Sequence, residues 1–273
     1  MMVAWALDNH RAFVYDSHME IAAAERSSGA PDASLGPRLA MIADELASHG
    51  RIDIVYDIGT DHAKLPVWLL RRGLCRAAVA TDVREGPLKK AARNVELAGL
   101  SGSVSFALCD GLAGVGEFAP GSAVVAAGMG GATLAGILER GAGKARLAGL
   151  VALQPMNNHA ALRWRLSELG YRVLRERLAI DGSRVYVAIF CRWLGASTGV
   201  QTPADYAIGR EEPHGTREAC LRYLKLARKI AANRHGGLLA IARSRALSPG
   251  ESAELADLEH VLRRIYDRAT AHG

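Results

Sequence analysis

Four short apolar runs, each closing on an acid or a glycine and each followed by a helical stretch, constrain this chain more than any other feature. The first, Arg51-Ile-Asp-Ile-Val-Tyr, alternates polar with apolar and β-branched residues, meets Asp57-Ile-Gly59 and runs on into Leu69-Leu70-Arg71-Arg72. That pattern reads as strand, tight turn, helix. Run 77–83 ends in Asp82-Val83, run 104–110 in Cys109-Asp110-Gly111-Leu112, and run 123–127 in Gly128-Met129-Gly130-Gly131. A fifth, 150–153, leads into Gln154-Pro155-Met156-Asn157-Asn158. Strands alternating with helices build a mostly parallel α/β sheet, and such sheets bind ligands outside the carboxyl ends of their strands. The endings should therefore converge on one crevice.

The residues at the first turn narrow the ligand. A dinucleotide fingerprint needs Gly-x-Gly-x-x-Gly to admit a pyrophosphate, but Gly59 is followed by Thr60, Asp61 and His62, and Asp61 would repel a diphosphate. This weighs against a dehydrogenase. A nucleoside with a cationic amino-acid tail suits the acids better. S-adenosyl-L-methionine is such a ligand, and its sulfonium and ammonium groups favour a cavity lined by Asp57, Asp61, Asp82 and Asp110. Asp82 follows Asp57 by about 25 residues, where a ribose acceptor is expected in this fold class.

With 273 residues, 49% hydrophobic and 23% charged, the composition is that of a soluble globular protein. No apolar run approaches membrane-spanning length and no basic, apolar leader opens the chain, so a cytoplasmic protein without membrane contact is expected, as a monomer or weak dimer. Cys75, Cys109, Cys191 and Cys220 are scattered without zinc spacing; they read as reduced core thiols, and no metal site is expected. Residues 1–34 read as an N-terminal extension with a partly disordered character, in which His10 and His18 are solvated.

Past the fifth run, residues 163–169 read as helix, and 171–180 with 184–191 form two strands around Asp181-Gly182-Ser183, a hairpin signal. Residues 195–203 read as a linker. Beyond it, 216–247 is helix-rich, with Leu221, Leu224, Ala227 and Ala231 on one face and a potential kink at Gly236-Gly237. Ser248-Pro249-Gly250-Glu251 is a capping box opening a second helix striped with Leu255, Leu258, Leu262 and Ile265. Two such stripes imply an antiparallel helical hairpin. Between Arg210 and Arg245 stand nine basic residues against three glutamates, a surplus equal to the chain's whole net charge of +6. Arg222, Lys225, Arg228 and Lys229 are candidate phosphate contacts; the plainer reading is a solvated helix face.

Four motifs in order, Asp57-Ile-Gly-Thr-Asp-His-Ala-Lys-Leu-Pro66, Cys109-Asp-Gly-Leu112, Ala127-Gly-Met-Gly-Gly131 and Leu153-Gln-Pro155, resemble the bacterial tRNA (adenine-N1) methyltransferases that modify adenosine twenty-two of the D-arm. The likeness runs from about Leu35 into the C-terminal helices. It implies a Rossmann-like class I methyltransferase fold over 35–195, whose mostly parallel sheet closes with an antiparallel hairpin, and a helical hairpin over 203–273 that binds tRNA. By the same resemblance, S-adenosyl-L-methionine is held by Asp57, Gly59, Thr60, His62 and Leu65 after the first strand. Asp82 takes its ribose and Asp110 with Leu112 its adenine, and Val83, Gly111, Gly128 and Met129 complete the set. Gly130 and Gly131 form a lip for the target base, and Asp61 and Asn157 are the catalytic candidates. The family often carries an aromatic where Lys64 stands, and Asn directly after Gln-Pro where Met156 stands. Either the amide role slides to Asn157 or the pocket is shaped differently. Two other functions stay open: methylation of a small molecule, which would make the basic helix irrelevant, and RNA binding without catalysis.

Overall fold

The computed structural model describes residues 34–116, 118–119, 121–195 and 201–272. The expected extension except Ser34, with His10 and His18, and most of the 195–203 linker lie outside them. Seven strands form one sheet: β1 (Ile52–Ile58), β2 (Cys75–Asp82), β3 (Val104–Leu108), β4 (Ala123–Met129), β5 (Leu150–Pro155), β6 (Tyr171–Asp181) and β7 (Arg184–Trp193), in the order β3-β2-β1-β4-β5-β7-β6. The first five run parallel, while β7 is antiparallel to both β5 and β6. This is the mostly parallel sheet with a closing hairpin that the sequence implied.

The strands are apolar on both faces because both faces are covered. Ile54, Tyr56 and Ile58 of β1, Val124 and Ala126 of β4, and Val151 and Leu153 of β5 share a core with Leu134 and Leu138 of α4 (Gly131–Arg140) and Leu162 and Leu166 of α6 (His159–Glu168). Their chain neighbours Val55, Val125 and Ala152 point the other way, onto Ile42 and Leu46 of α1 (Pro37–Ser48) and Leu65 and Leu69 of α2 (Lys64–Arg71). Each fully buried Leu or Ile contributes about 1.5–3 kcal/mol. On the same face as α2, toward the β3 edge, α3 (Glu85–Leu97) packs Ala91 and Val95 against β2 and β3.

Pairing sets the strand ends level. Ile58 lies beside Thr81 and Ala126, Asp82 beside Leu108, and Met129 beside Pro155 after a bulge between Ala127 and Met129. The acid and glycine endings do converge at one edge.

Three later helices share a core with the hairpin. Leu178 and Val187 of β6 and β7 meet Ala204 and Ile208 of α7 (Pro203–Ile208), Tyr223, Leu224 and Ala227 of α8 (Arg217–Ser244), and Val261 and Ile265 of α9 (Pro249–Ala271). α8 runs 28 residues through Gly236 and Gly237 as one helix, and the Ser248/Glu251 capping box opens α9 as expected. The sequence reading missed α7, and a short α5 (Ala142–Ala145) after α4. α7 starts on a capping box of the same kind, Thr202 with Asp205 and Pro203 at its first position. α6 also begins earlier than expected, at His159.

A buried ion pair ties these helices to the sheet. Arg163 of α6 donates to both oxygens of Glu176 on β6 at 2.7 and 2.8 Å, to the Tyr223 hydroxyl of α8 at 2.6 Å, and to the carbonyl of Tyr206 in α7 at 2.9 Å. Burial works against the charged guanidinium, but the Glu176 carboxylate outweighs it and holds the Arg163 pKa above its ordinary value.

Candidate active site

The site begins where β1 stops. Gly59 adopts φ +74°, a conformation that favours glycine, and a Cβ there would stand 3.0 Å from the Met129 Cε. The N–H groups of Gly59 and Thr60 both donate to the Thr81 carbonyl at 2.8 Å, binding the β1 turn to the end of β2. Thr60 Oγ1 accepts from the Ala63 N–H at 3.2 Å and braces the entry to α2. The side chain of Asn94, from α3, donates to the His62 carbonyl at 3.0 Å. The loop carrying Asp61 and His62 is thus held at both ends.

Asp57 sits half-buried at this edge. Loss of water pushes its carboxyl up to about 6, with the Thr60 hydroxyl bond pulling the other way. A carboxylate held in this way gains from a cation brought against it. Asp82 is buried, and its Oδ1 accepts from the Arg84 N–H at 2.9 Å. Beside it Val83 is 62% exposed and Leu108 57%, an apolar surface at the strand ends that a flat ring could cover.

Asp110 is exposed and its carboxylate bonds Arg140 of α4 at 3.0 Å, so a ligand would have to share or replace that partner. Of the expected cofactor residues, Leu65 and Leu112 have side chains in the core, 3% and 1% exposed. Their packing in the two cores leaves only their backbones for a ligand. Gly111 is also buried, at φ +59°, where a Cβ would meet Ile137 at 3.1 Å. Asp61 is 71% exposed and pairs with His62 Nε2 at 3.1 Å. It does not cap α2, which opens without a side-chain cap. Lys64 is exposed at the first position of α2.

Opposite these residues, two turns are zipped together. The Met156 N–H donates to the Met129 carbonyl at 2.8 Å and the Gly131 N–H to the Asn157 carbonyl at 3.2 Å. A Cβ at Gly131 would fall 2.6 Å from the Asn158 carbonyl oxygen, and one at Gly130 would lie 3.1 Å from Asn157 Oδ1. The structure thus brings Asn157 directly against the Gly130–Gly131 lip, with Gly128 and Met129 leading into it.

Alongside runs a groove of about 1080 Å³. One wall is α8, presenting Arg222, Lys225, Arg228 and Lys229; the other includes Met156, His159 and Tyr186. Burial draws the His159 pKa down to about 4, and Arg163 adds to it, so the ring is neutral at pH 7. Not all the helix's basic residues face this groove: Arg234 bonds Glu254 of α9 twice at 2.7 Å, and Arg245 bonds Glu251.

A model of the methyltransferase-domain family matches residues 35–189, more than half of the chain. The chain belongs to that methyltransferase family. Within it, 154 residues are 32% identical to the tRNA (adenine(22)-N(1))-methyltransferase of Bacillus subtilis strain 168, an alignment covering 56% of this chain and 62% of the relative's length. A Streptococcus pneumoniae candidate tRNA (m1A22) methyltransferase, solved in complex with S-adenosyl-L-methionine, superimposes with a TM-score of 0.68 at 28% identity, over 84% of this chain and 100% of that one. The fold is shared too with the B. subtilis m1A22 tRNA methyltransferase structure, at 23% identity, a TM-score of 0.63, and 86% and 99% coverage.

In this methyltransferase the sequence reading passed over three residues at the site's borders. Arg38 donates to Gln154 at 2.9 Å, and Gln154, fully buried, also receives the Gly128 N–H at 3.1 Å. His159 lines the groove at the start of α6. Gln154 stood in the Leu153-Gln-Pro155 motif, as a polar residue at the end of an otherwise apolar strand, but without a role of its own.

Proposed function

We propose that this methyltransferase uses S-adenosyl-L-methionine to methylate N1 of an adenosine in tRNA, at position 22 of the D-arm. The observation that carries the reading is the juxtaposition of acidic strand ends, Asp57 and Asp82, at the sheet's carboxyl edge with a basic groove that Pro155 and Met156 of the same edge help to line. The B. subtilis relative of that name supports the substrate, and the S. pneumoniae neighbour's bound ligand supports the cofactor.

When bound, the cofactor supplies a methyl group on a sulfonium. The chain's own residues bind and orient. Asp57 accepts hydrogen bonds from an ammonium, Asp82 from ribose hydroxyls, and Val83 and Leu108 offer apolar surface to the adenine ring. Gly59, Thr60, His62 and the Gly128–Met129 turn shape the crevice, with the backbones of Leu65, Gly111 and Leu112 and the carboxylate of Asp110 at its border. Arg222, Lys225, Arg228 and Lys229 take phosphates and set register.

Adenine N1 lies on the Watson–Crick edge, so the target adenosine must be turned out of its stack to meet Gly130, Gly131 and Asn157. The N1 lone pair is free in the neutral base, and attack needs no general base. The methylated base is cationic; Asp61, at the open side of the loop, stabilises that charge, and the Asn157 amide orients the base. No metal enters this scheme. The helices beyond the linker form the RNA-binding part. Among the described residues no helix is long and apolar enough to cross a membrane. The enzyme on this reading works in the cytoplasm, as a monomer or weak dimer.

Transfer of labelled methyl from S-adenosyl-L-methionine to unmodified tRNA tests the reading, with a tRNA carrying guanosine at position 22 as control. Label on the first and none on the second is expected. Equal labelling of both would reject the position, and no labelling of either would reject the activity.

A further inference from the structure

The geometry points to Arg38 as a positioning residue for methyl transfer. Its guanidinium fixes the amide of Gln154 and, through it, both turns that meet the target base. Arg38 lies in the first turn of α1, 116 residues from Gln154, yet its Nη1 donates to Gln154 Oε1 at 2.9 Å. The same oxygen accepts the Gly128 N–H at 3.1 Å, while Gln154 Nε2 donates to the Pro155 carbonyl at 2.7 Å and lies 3.8 Å from Met156 Sδ.

Gln154 is 0% exposed, so its amide has no water to fall back on. A primary amide has two orientations that exchange oxygen for nitrogen. Turned over, its NH2 would face the Gly128 N–H and the guanidinium, donor against donor, and its oxygen would face the Pro155 carbonyl. With Arg38 present the flip sacrifices three hydrogen bonds, one of them charge-assisted. Without Arg38, the Gly128 N–H alone holds the oxygen.

What depends on that orientation is the lip. Gly128 adopts φ +79° beside the β4 bulge, and a Cβ there would lie 3.4 Å from Arg38 Nη1, so the guanidinium packs directly on this backbone. Met129 follows, seated against Gly59. Pro155 leads to Met156 and to Asn157, which abuts Gly130. On its other side the Arg38 Cζ stands 6.0 Å from the centre of the Tyr186 ring, and Tyr186 lines the basic groove. One side chain therefore joins the groove wall to both turns of the crevice.

The catalytic half of this inference rests on the methyltransferase reading, and a second readout does not. Arg38→Met and Arg38→Lys would be compared with the wild-type protein for kcat, for KM of S-adenosyl-L-methionine, and for hydrogen exchange of the Gly128 amide in the free protein. Arg38→Met should lower kcat by roughly ten- to hundredfold, the scale on which ~1 Å misplacements act, with the cofactor KM held within about twofold. Gly128 exchange should speed up. Arg38→Lys, which keeps one donor for the oxygen, should recover part of both. An unchanged kcat, a loss shared equally with KM, or unchanged Gly128 exchange would each overturn the proposal. Should Arg38→Met not fold, Arg38→Lys and Arg38→Gln are read against the same criteria. A wild-type protein that transfers no methyl would sink the functional reading and the catalytic half with it, while Gly128 exchange still decides whether Arg38 holds the amide.

Discussion

The carboxyl edge of the sheet and the groove face of α8 adjoin one another and carry opposite charge by different means. At the edge, Asp57 and Asp82 sit on strand ends fixed by ladder pairing, the first half-buried and the second buried. On α8, Lys225, Arg228 and Lys229 stand exposed on long, mobile stems. Sheltered, fixed carboxylates select one small cation by hydrogen-bond geometry; wet, flexible cations hold a polyanion by charge, with little geometric demand and strong dependence on salt. On the proposed function, the first region recognises the methyl donor and the second captures the nucleic acid. Between them lie the Arg163–Glu176 pair, which holds the helices on, and Arg38.

Breaking the joint should have the largest effect. Arg163→Met leaves Glu176 buried without its partner, and should cost about 3–5 kcal/mol by urea denaturation, with tRNA affinity falling further than cofactor affinity. A cost below ~1 kcal/mol would mean the two regions are held together elsewhere.

Next comes the acidic side. Asp57→Asn should weaken S-adenosyl-L-methionine by about ten- to hundredfold in calorimetry, the ~1.5–3 kcal/mol of a hydrogen bond to a charged group, and leave tRNA affinity unchanged. Because the Asp57 carboxyl is raised to about 6, cofactor affinity of the wild-type protein should decline as pH falls through that value, and the Asn variant should lack this dependence. The sign for stability is opposite. Between 3.8 and about 6 the folded protein binds this proton more tightly than the unfolded chain, so stability of the free protein from this group falls as pH rises across the window and levels off above it. A thermal shift by the cofactor that is larger at low pH than at neutral pH would contradict the first statement, and free-protein stability of the wild type that rises relative to the Asn variant across the window would contradict the second.

Asp61→Asn should lower kcat by about tenfold, the ~1.4 kcal/mol of one charge-assisted hydrogen bond, without changing cofactor affinity. An equal loss in both would move Asp61 from the transition state to the ground state. The gentlest test concerns the basic side: Lys225→Gln with Lys229→Gln should reduce the slope of log affinity for tRNA against log salt by about 2, one for each lost phosphate contact. An unchanged slope would take these lysines off the RNA path.

How much of this was legible follows from the range of each interaction. The parallel sheet could be read because every strand ends in a local signal, Asp57-Ile-Gly59 or Gly128-Met129-Gly130. The helical hairpin could be read from the stripes at Leu221, Leu224 and Ala227 and at Leu258, Leu262 and Ile265. α7, at six residues, is too short to show a helical period, and only its Thr202/Asp205 cap betrays it. Arg38 escaped notice because its partner lies 116 residues away, brought near by topology alone. Leu65 and Leu112 belong to motifs, yet a motif does not say which of its side chains face inward; the packing of α1 and α4 does. Counting charges from Arg210 to Arg245 likewise overstated what is free, since Glu218 pairs with Arg222 and Glu254 and Glu251 of α9 occupy Arg234 and Arg245.

The most direct test of the acid-lined crevice is a crystal structure of the protein with S-adenosyl-L-methionine bound. The ammonium should lie within hydrogen-bond reach of Asp57 and the ribose hydroxyls within reach of Asp82, with the methyl group turned toward Asp61, Gly130 and Asn157. A carboxyl edge left empty at saturating cofactor, or a cofactor seated away from Asp57, would contradict the account.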